Sequence, residues 1–195
     1  CTLCLKCLDF QAQRICTRCR FDLSVAKQHR RSHPNRPASE GVAGVSHKHW
    51  KVEEQQARRQ KSDKNDYSKI PLLKGEYEYC IFTSCDFSDS DISEIKFLDT
   101  QFIDCNFSNA NVINASFQDV TFRNCKMLGL QFEKCNEFGF SATFENCQLD
   151  YSSFFHMKLN QTSIIKSQLH GVDFSEAHLK SIKMTECDLL NATFN

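Results

Sequence analysis

The chain has 195 residues, which suits one or two compact domains with a sizeable core. Hydrophobic residues make up 41% of it, which excludes wholesale disorder, and no apolar run approaches the roughly 20 residues of a membrane-spanning helix. The net charge of zero conceals two unlike parts. Residues 1–75 hold 16 basic and 7 acidic residues, whereas residues 76–195 hold 8 basic and 17 acidic residues.

Residues 1–33 form a basic segment rich in cysteine and histidine. Five cysteines follow the spacing C-x2-C-x2-C-x8-C-x2-C, and two histidines come after them. Paired C-x2-C knuckles chelate Zn²⁺ through thiolates, so a zinc module that contacts nucleic-acid phosphates is one interpretation. The candidate ligands are Cys4, Cys7, Cys16 and Cys19, with His29 and His33 as alternates to the first two. Zinc is the one cofactor that we consider, and it belongs to this segment alone.

The ends of the chain support a second interpretation of residues 1–33. The first residue is Cys1 and the first methionine is Met127, so we expect a fragment or a processed product. Residues 1–33 would then be untranslated sequence read through in frame. The chain stops at Asn195 within a repeat, so we also expect a C-terminally truncated rod that associates end to end.

Residues 34–75 lack a sustained periodicity and are predicted to be a linker, largely disordered or with a short helix. The polar stretch at 52–64 is the candidate helix, but it has no apolar face. The stretch Ile-Pro-Leu-Leu at 70–73 is predicted to cover the first turn of the structure that follows.

From Phe82 onward a large apolar residue returns at every fifth position. The predicted inward-facing centres include Phe82, Phe87, Phe102, Phe107, Phe122, Phe132 and Phe144. A period of five fits neither a helix nor a single strand, and a fixed short repeat predicts a solenoid. The register slips by two residues within 136–143, where we count Phe138 with the repeat.

A second, mostly small series lies two residues before each centre and contains cysteines. Cys85, Cys105 and Cys125 are spaced by 20, and the slip carries this series to Cys147. The spacing predicts four units of five residues per turn, nearly six turns and a column of buried thiols. Because these thiols run parallel, we predict core packing rather than disulfides, and a reducing, cytoplasmic location.

The stretches CDFSDSDIS at 85–93 and CNFSNANV at 105–112 match the pattern A(D/N)LXX closely. By these motifs, residues 78–195 resemble the pentapeptide-repeat family. Phenylalanine centres with cysteine at the small position are similar to its bacterial quinolone-resistance branch. The resemblance implies an all-β fold, a right-handed quadrilateral β-helix over 76–195, preceded here by a mostly irregular basic segment. It also allows a homodimer of the intact protein, although the terminal helix through which that branch commonly dimerises is absent.

Carboxylates are frequent at the outward positions of the first repeats. They are Asp86, Asp89, Asp91, Glu94, Asp99 and Asp104. One hypothesis is that these charges only keep a phenylalanine-packed rod soluble. The other is that an acidic rod of DNA-like width imitates a duplex. Three further residues, His156, His170 and His178, fall at outward positions and are predicted to be surface residues.

The sequence assembles no nucleophile, base and oxyanion donors, so we predict a binding protein and not an enzyme. The resemblance implies a protein partner, a type II topoisomerase such as DNA gyrase or topoisomerase IV. The contacts would come from the acidic residues and from Glu137 and Phe138 in the slip. We expect no membrane partner and no direct nucleic-acid binding by the rod. The alternatives are a scaffold for an unknown protein and a zinc-dependent nucleic-acid-binding module fused to the rod.

Overall fold

The structure is a computed structural model, and it describes residues 55–195. Both candidate zinc ligand sets lie outside the described residues. The strands are β1 (Gln55–Arg58), β2 (Lys61–Asp63), β3 (Gly75–Glu78), β4 (Ile81–Thr83), β5 (Lys96–Leu98), β6 (Gln101–Ile103), β7 (Ser116–Gln118), β8 (Val120–Arg123), β9 (Ala142–Glu145), β10 (Thr162–Ile165) and β11 (Lys183–Thr185). A short 3-10 helix spans Phe132–Lys134. Among the described residues, no helix could cross a bilayer.

The paired strands of residues 55–195 are all parallel, and they form two sheets. One sheet has the order β1-β3-β5-β7 and the other has the order β11-β10-β9-β8-β6-β4-β2. Partners are 20 residues apart, as for Phe82 and Phe102, except across the slip, where Phe122 pairs with Phe144. This is the geometry of a solenoid whose turns contain four units of five residues. It confirms the predicted quadrilateral β-helix and its register.

The rod has four sides, which we number by the residues at their centres. Side 1 is centred on Phe82, Phe102, Phe122, Phe144, Ile164 and Met184; side 2 on Phe87, Phe107, Met127, Leu149 and Leu169; side 3 on Ile92, Val112, Phe132, Phe154 and Phe174; side 4 on Tyr77, Phe97, Phe117 and Leu159. The seven phenylalanine centres named in the sequence analysis are all buried. Their rings stack between turns, for example Phe87 on Phe107 with centroids 4.6 Å apart.

The corners between sides require a left-handed backbone. Nineteen non-glycine residues of the described chain have a positive φ between 48° and 60°, and most lie two positions after a centre. Asp and Asn tolerate this conformation better than most residues, because their short side chains hydrogen-bond locally. Nine of the nineteen are Asp or Asn. Polar residues therefore suit this corner position for two reasons: they tolerate the left-handed backbone, and they keep the surface soluble.

The β-helix begins one turn earlier than predicted. β1 pairs with β3 and β2 pairs with β4, so the first turn occupies residues that we expected to form a linker or a short helix. The helix prediction is wrong for residues 55–64, and the boundary at residue 76 is late by a turn. The five-residue pattern is hidden there because the centres are Ala57, Ser62 and Tyr67, not large aliphatic or phenyl groups. About six turns follow residue 76, as predicted.

The stretch at 70–74 lies against side 3 of the following turn. Leu72 is buried, whereas Ile70 and Leu73 are exposed. The Nζ atom of Lys74 donates to the Asp91 carboxylate at 3.0 Å and to the Ser93 carbonyl at 2.7 Å. This segment therefore ends the first turn and lies against the side-3 unit centred on Ile92, whereas the sequence predicted that it would cover the start of the rod.

Candidate functional site

The structure separates the predicted contact carboxylates. Four of them lie on sides 2 and 3 within one turn: Asp86, Asp89, Asp91 and Glu94. Asp99 lies at the corner that follows side 4, and Asp104 at the corner that follows side 1. Residues spaced by five lie on successive sides, so a run of acids in sequence forms a ring around the rod. A stripe along the rod requires residues spaced by 20.

Charge is nevertheless unequal around the rod. From residue 76 onward, sides 2 and 3 with the corners that follow them carry nine carboxylates and two lysines, a net charge of −7. Sides 1 and 4, counted likewise, carry eight carboxylates and six basic residues, a net charge of −2. The negative surface is therefore the pair of sides 2 and 3. From residue 76 onward the basic residues there are Lys126 and Lys134, in the middle turns, and Lys74 of the preceding turn pairs with Asp91.

Two of these carboxylates also stabilise the turns of the rod. Oδ1 of Asp86 accepts hydrogen bonds from the backbone N–H and the hydroxyl of Ser88, at 2.9 and 2.7 Å. Oδ1 of Asp91 accepts from the backbone N–H of Ser93 at 3.0 Å. Hydrogen bonds from Ser93 and from the Lys74 ammonium hold the pKa of Asp91 below its usual range. Asp89 and Glu94, by contrast, are corner residues with outward side chains, and they remain the better candidates for contact with a partner.

The slip forms an insertion on side 4 that presents one aromatic ring to solvent. Phe138 is 81% exposed. Its backbone N–H donates to Oδ1 of Asn136 at 3.0 Å, and Asn136 donates in turn to the hydroxyl of Ser116 at 3.2 Å. Gly139 has a φ of +71°, and a Cβ there would lie 3.0 Å from the side-chain nitrogen of Gln118. The insertion is therefore built on the preceding turn, and it positions Phe138 and Glu137 outward.

The inward residue of this insertion is Phe140, not Phe138. Phe140 is buried and makes edge contacts with Phe117 and Phe132, with ring centroids 6.5 and 6.2 Å apart. Counting Phe138 with the repeat is wrong, because its ring is exposed and the buried ring of this insertion is Phe140. The roles of Glu137 and Phe138 in partner binding stay predictions.

The predicted thiol column is present and buried. Cys85, Cys105, Cys125 and Cys147 are free and buried, and Ser167 continues the column. Each thiol is close to backbone carbonyls; the Cys125 sulfur lies 3.4 Å from the carbonyl oxygen of Phe102. The neighbouring sulfur atoms and burial raise the pKa of the Cys125 thiol well above its usual range. A neutral thiol packs as a small apolar group, so the column is part of the core.

We predict that native thiol reactivity will separate Cys187 from the column. Cys187 is half-buried in the last turn, whereas Cys105 and Cys125 are almost fully buried. Brief alkylation with iodoacetamide at about pH 8, close to the pKa of a free thiol, followed by peptide mass spectrometry, should label Cys187 before Cys85, Cys105, Cys125 and Cys147. The column cysteines should become labelled only in urea. Equal labelling of Cys187 and Cys125 in the native state would contradict this packing.

The described surface is shallow, and its depressions are lined by polar groups. The two most distinct have volumes of about 360 and 290 Å³. The first lies on side 3 between Asn109, Asn111, Gln131 and Lys134. These volumes lie at the lower end of the range for ligand pockets. Within residues 55–195, no three His, Cys, Asp or Glu side chains are grouped so that they could hold a metal ion.

Solved structures with similar chains include three repeat proteins. One is a trypsin-treated variant of QnrB1, a plasmid-mediated fluoroquinolone resistance protein. It is 18% identical to this chain, the match covers 71% of this chain and 91% of that chain, and the TM-score is 0.32. The second is HetL, a pentapeptide repeat protein from the cyanobacterium Nostoc sp. strain PCC 7120 that is involved in heterocyst differentiation regulation, with 11% identity, coverage of 70% and 86%, and a TM-score of 0.34. The third is Rfr23 from the cyanobacterium Cyanothece 51142, with 11% identity, coverage of 71% and 88%, and a TM-score of 0.22.

A family model matches part of the chain. The comparison with curated protein sequences gave no significant match. Residues 76–137, however, match the model of the pentapeptide repeat region. The matched residues contain the paired strands β4–β8 and the corners with positive φ, and the same stacking of turns continues to β11. Residues 76–137 therefore resemble a pentapeptide repeat region, and the turns on either side of them are built from the same five-residue unit.

Proposed function

We propose that the rod is a non-enzymatic binding protein that presents sides 2 and 3 to a basic, DNA-binding surface of a type II topoisomerase. The observation that carries this proposal is the difference in net charge, −7 on sides 2 and 3 against −2 on sides 1 and 4. A one-sided negative surface favours a basic partner and steers its approach. DNA gyrase and topoisomerase IV are chosen because the phenylalanine- and cysteine-rich repeats resemble the quinolone-resistance branch.

The charge density limits how closely the rod would imitate a duplex. B-DNA carries about one negative charge per 1.7 Å of its axis. About six turns at about 4.8 Å each give a rod about 29 Å long, which on B-DNA would carry about 17 charges. The charge of −7 is less than half of this. We therefore infer that the carboxylates would occupy only some of the phosphate sites of the partner.

The corner positions provide a matched test of the acidic surface. In one variant of the full chain, Asp89→Asn, Glu94→Gln and Glu176→Gln remove three charges at corners that follow sides 2 and 3. In the control, Asp99→Asn, Asp104→Asn and Asp119→Asn remove three charges at corners that follow sides 4 and 1. Both variants change the same slot of the repeat, and Asn is compatible with the left-handed backbone. Circular dichroism should show that both remain folded.

The measurement is gyrase supercoiling with and without a fluoroquinolone. The unmodified chain is expected to inhibit the enzyme or protect it from the drug. The side 2 and 3 variant should lose this effect by about tenfold or more in the required concentration, because each lost rim charge slows association. The control should retain it. Equal behaviour of the two variants would refute a one-sided contact, and no effect of the unmodified chain at micromolar concentration would refute the choice of topoisomerase.

A scaffold for an unrelated protein is the second candidate, and the exposure of Phe138 favours it. An aromatic ring held outward by a hydrogen-bonded insertion is typical of an anchor residue in protein interfaces. In this alternative the contact would lie on side 4. Affinity capture with the unmodified chain and with Phe138→Ala would separate the two candidates. Only the scaffold hypothesis predicts that the unmodified chain captures a protein other than a topoisomerase and that Phe138→Ala fails to capture it.

A further inference from the structure

A histidine on side 2 lies between carboxylates of the two neighbouring turns. The Nε2 atom of His170 is 2.8 Å from Oδ2 of Asp188 in the following turn. Its Nδ1 atom is 3.4 Å from Oδ1 of Asp150 in the preceding turn. The backbone N–H of His170 also donates to Oδ1 of Asp150 at 2.9 Å, which holds that carboxylate in place. The Nε2 atom is shielded from solvent and makes no hydrogen bond of good geometry, so its close approach to Asp188 is an ionic contact.

This arrangement suits only the doubly protonated imidazole. A neutral imidazole has one N–H and one nitrogen lone pair. With the proton on Nε2, the lone pair of Nδ1 faces Asp150; with the proton on Nδ1, the lone pair of the shielded Nε2 faces Asp188. Either tautomer therefore brings a lone pair towards a carboxylate oxygen. The imidazolium presents an N–H to each side and removes both repulsions.

We propose that His170 is a proton-operated clamp that fastens the turn containing Asp188 to the turn containing Asp150. Asp150 and Asp188 are the charged groups that face the ring from the two turns packed against it. Protonation places one positive charge between two negative charges on consecutive turns. The last turn of the described chain is held more firmly when the clamp is closed.

The direction of the pH effect follows from the same contacts. The Asp188 carboxylate, and to a smaller extent Asp150, raises the pKa of His170 above its ordinary value of 6.5. Reciprocally, His170 lowers the pKa of Asp188. A raised pKa in the folded state means that the stabilisation is complete below about pH 6.5 and is lost as the pH rises through the folded pKa. Protonation of His170 therefore closes the clamp, and the clamp opens as the pH rises through the folded pKa.

His156 offers an internal comparison, at the corner that follows side 3. Its Nδ1 atom lies 3.3 Å from Oε2 of Glu176, and its side chain is largely exposed. The structure gives this ring one carboxylate contact, and solvent reaches it. His156→Gln is therefore the matched control, because it removes a histidine that contacts a carboxylate of the next turn without removing a two-sided contact.

The experiment measures hydrogen exchange of the full chain at about pH 6 and about pH 8, on either side of the histidine titration, with intrinsic rates corrected for pH. The reporting amides are those of Leu169, which donates to the backbone carbonyl of Asp188, and of Gly171, which donates to the backbone carbonyl of Leu190. In the unmodified chain their protection should be about twofold or more greater at the lower pH. His170→Gln should abolish that difference, whereas His156→Gln should keep it. An unchanged pH dependence in His170→Gln would overturn the clamp.

An NMR titration of the His170 ring gives a second measurement that does not depend on global stability. Asp188→Asn should lower the pKa of His170, because it removes the carboxylate nearest to Nε2. The corresponding change at the control site, Glu176→Gln, should leave the His170 titration unaltered. If Asp188→Asn also leaves it unaltered, the ring is not paired across the turns and the proposal fails.

Discussion

Replacing Phe102 by alanine is expected to destabilise the rod by about 3–5 kcal/mol, the usual cost of removing a fully buried phenyl ring. Phe102 is 0% exposed. Its ring is stacked between Phe82 and Phe122 with centroids 5.0 and 5.2 Å apart, and it meets the edges of rings on the other sides. Neighbouring turns are fixed by their backbone ladders, so the cavity cannot easily collapse. Urea denaturation followed by circular dichroism measures the loss.

The matched control for this prediction is Phe138→Ala. It deletes the same ring from a site that is 81% exposed, so the free energy of unfolding should change by less than about 0.5 kcal/mol. Phe140→Ala should resemble Phe102→Ala in direction, because Phe140 is buried in the insertion. A large effect of Phe138→Ala with a small effect of Phe140→Ala would contradict the assignment of these two rings.

A charge placed in the thiol column should be equally damaging. Cys125→Asp puts a carboxyl group at a position that is 1% exposed. Burial of this kind raises the pKa of a carboxyl group by about 3 units or more, which corresponds to about 4 kcal/mol of lost stability at pH 7. The loss should be absent below about pH 4 and should grow as the pH rises above the unfolded pKa of about 3.9.

Two neutral substitutions at the same position isolate the effect of charge. Cys125→Asn has nearly the shape of Asp, so the difference between the two variants should vanish in acid and reach its full value at neutral pH. Cys125→Ser should be tolerated better, since Ser167 already occupies this column, where its hydroxyl accepts from the N–H of Cys147 and donates to the Ile165 carbonyl. A pH-independent difference between Asp and Asn, measured by urea denaturation, would show that the column is hydrated.

The sequence identified many residues of the candidate site, but it did not show which of them lie on the same side of the rod. The carboxylates at Asp89 and Glu94 were identified by their slot in the repeat, and the structure places them on the more negative half of the rod. Asp99 and Asp104 occupy the same slot but lie on the other half. The His170 clamp was missed altogether, because its carboxylate partners are 20 residues before it and 18 residues after it, and only the stacking of turns brings them together.

The sequence by itself determined the repeat, the four-sided turn and the identity of the core. A large apolar residue at every fifth position and a cysteine at every twentieth can all be buried only when like residues stack between turns, so the register at Phe82 and Phe102 was predictable. Only the tertiary structure showed where the β-helix continues through residues in which the five-residue pattern is not visible. The first turn depends on Ala57 and Ser62, which are too small to mark a repeat, and the insertion buries Phe140 while its other phenylalanine stays exposed. Which side chain is buried at these positions depends on the space that the neighbouring turn leaves. A local sequence pattern carries no information about that space.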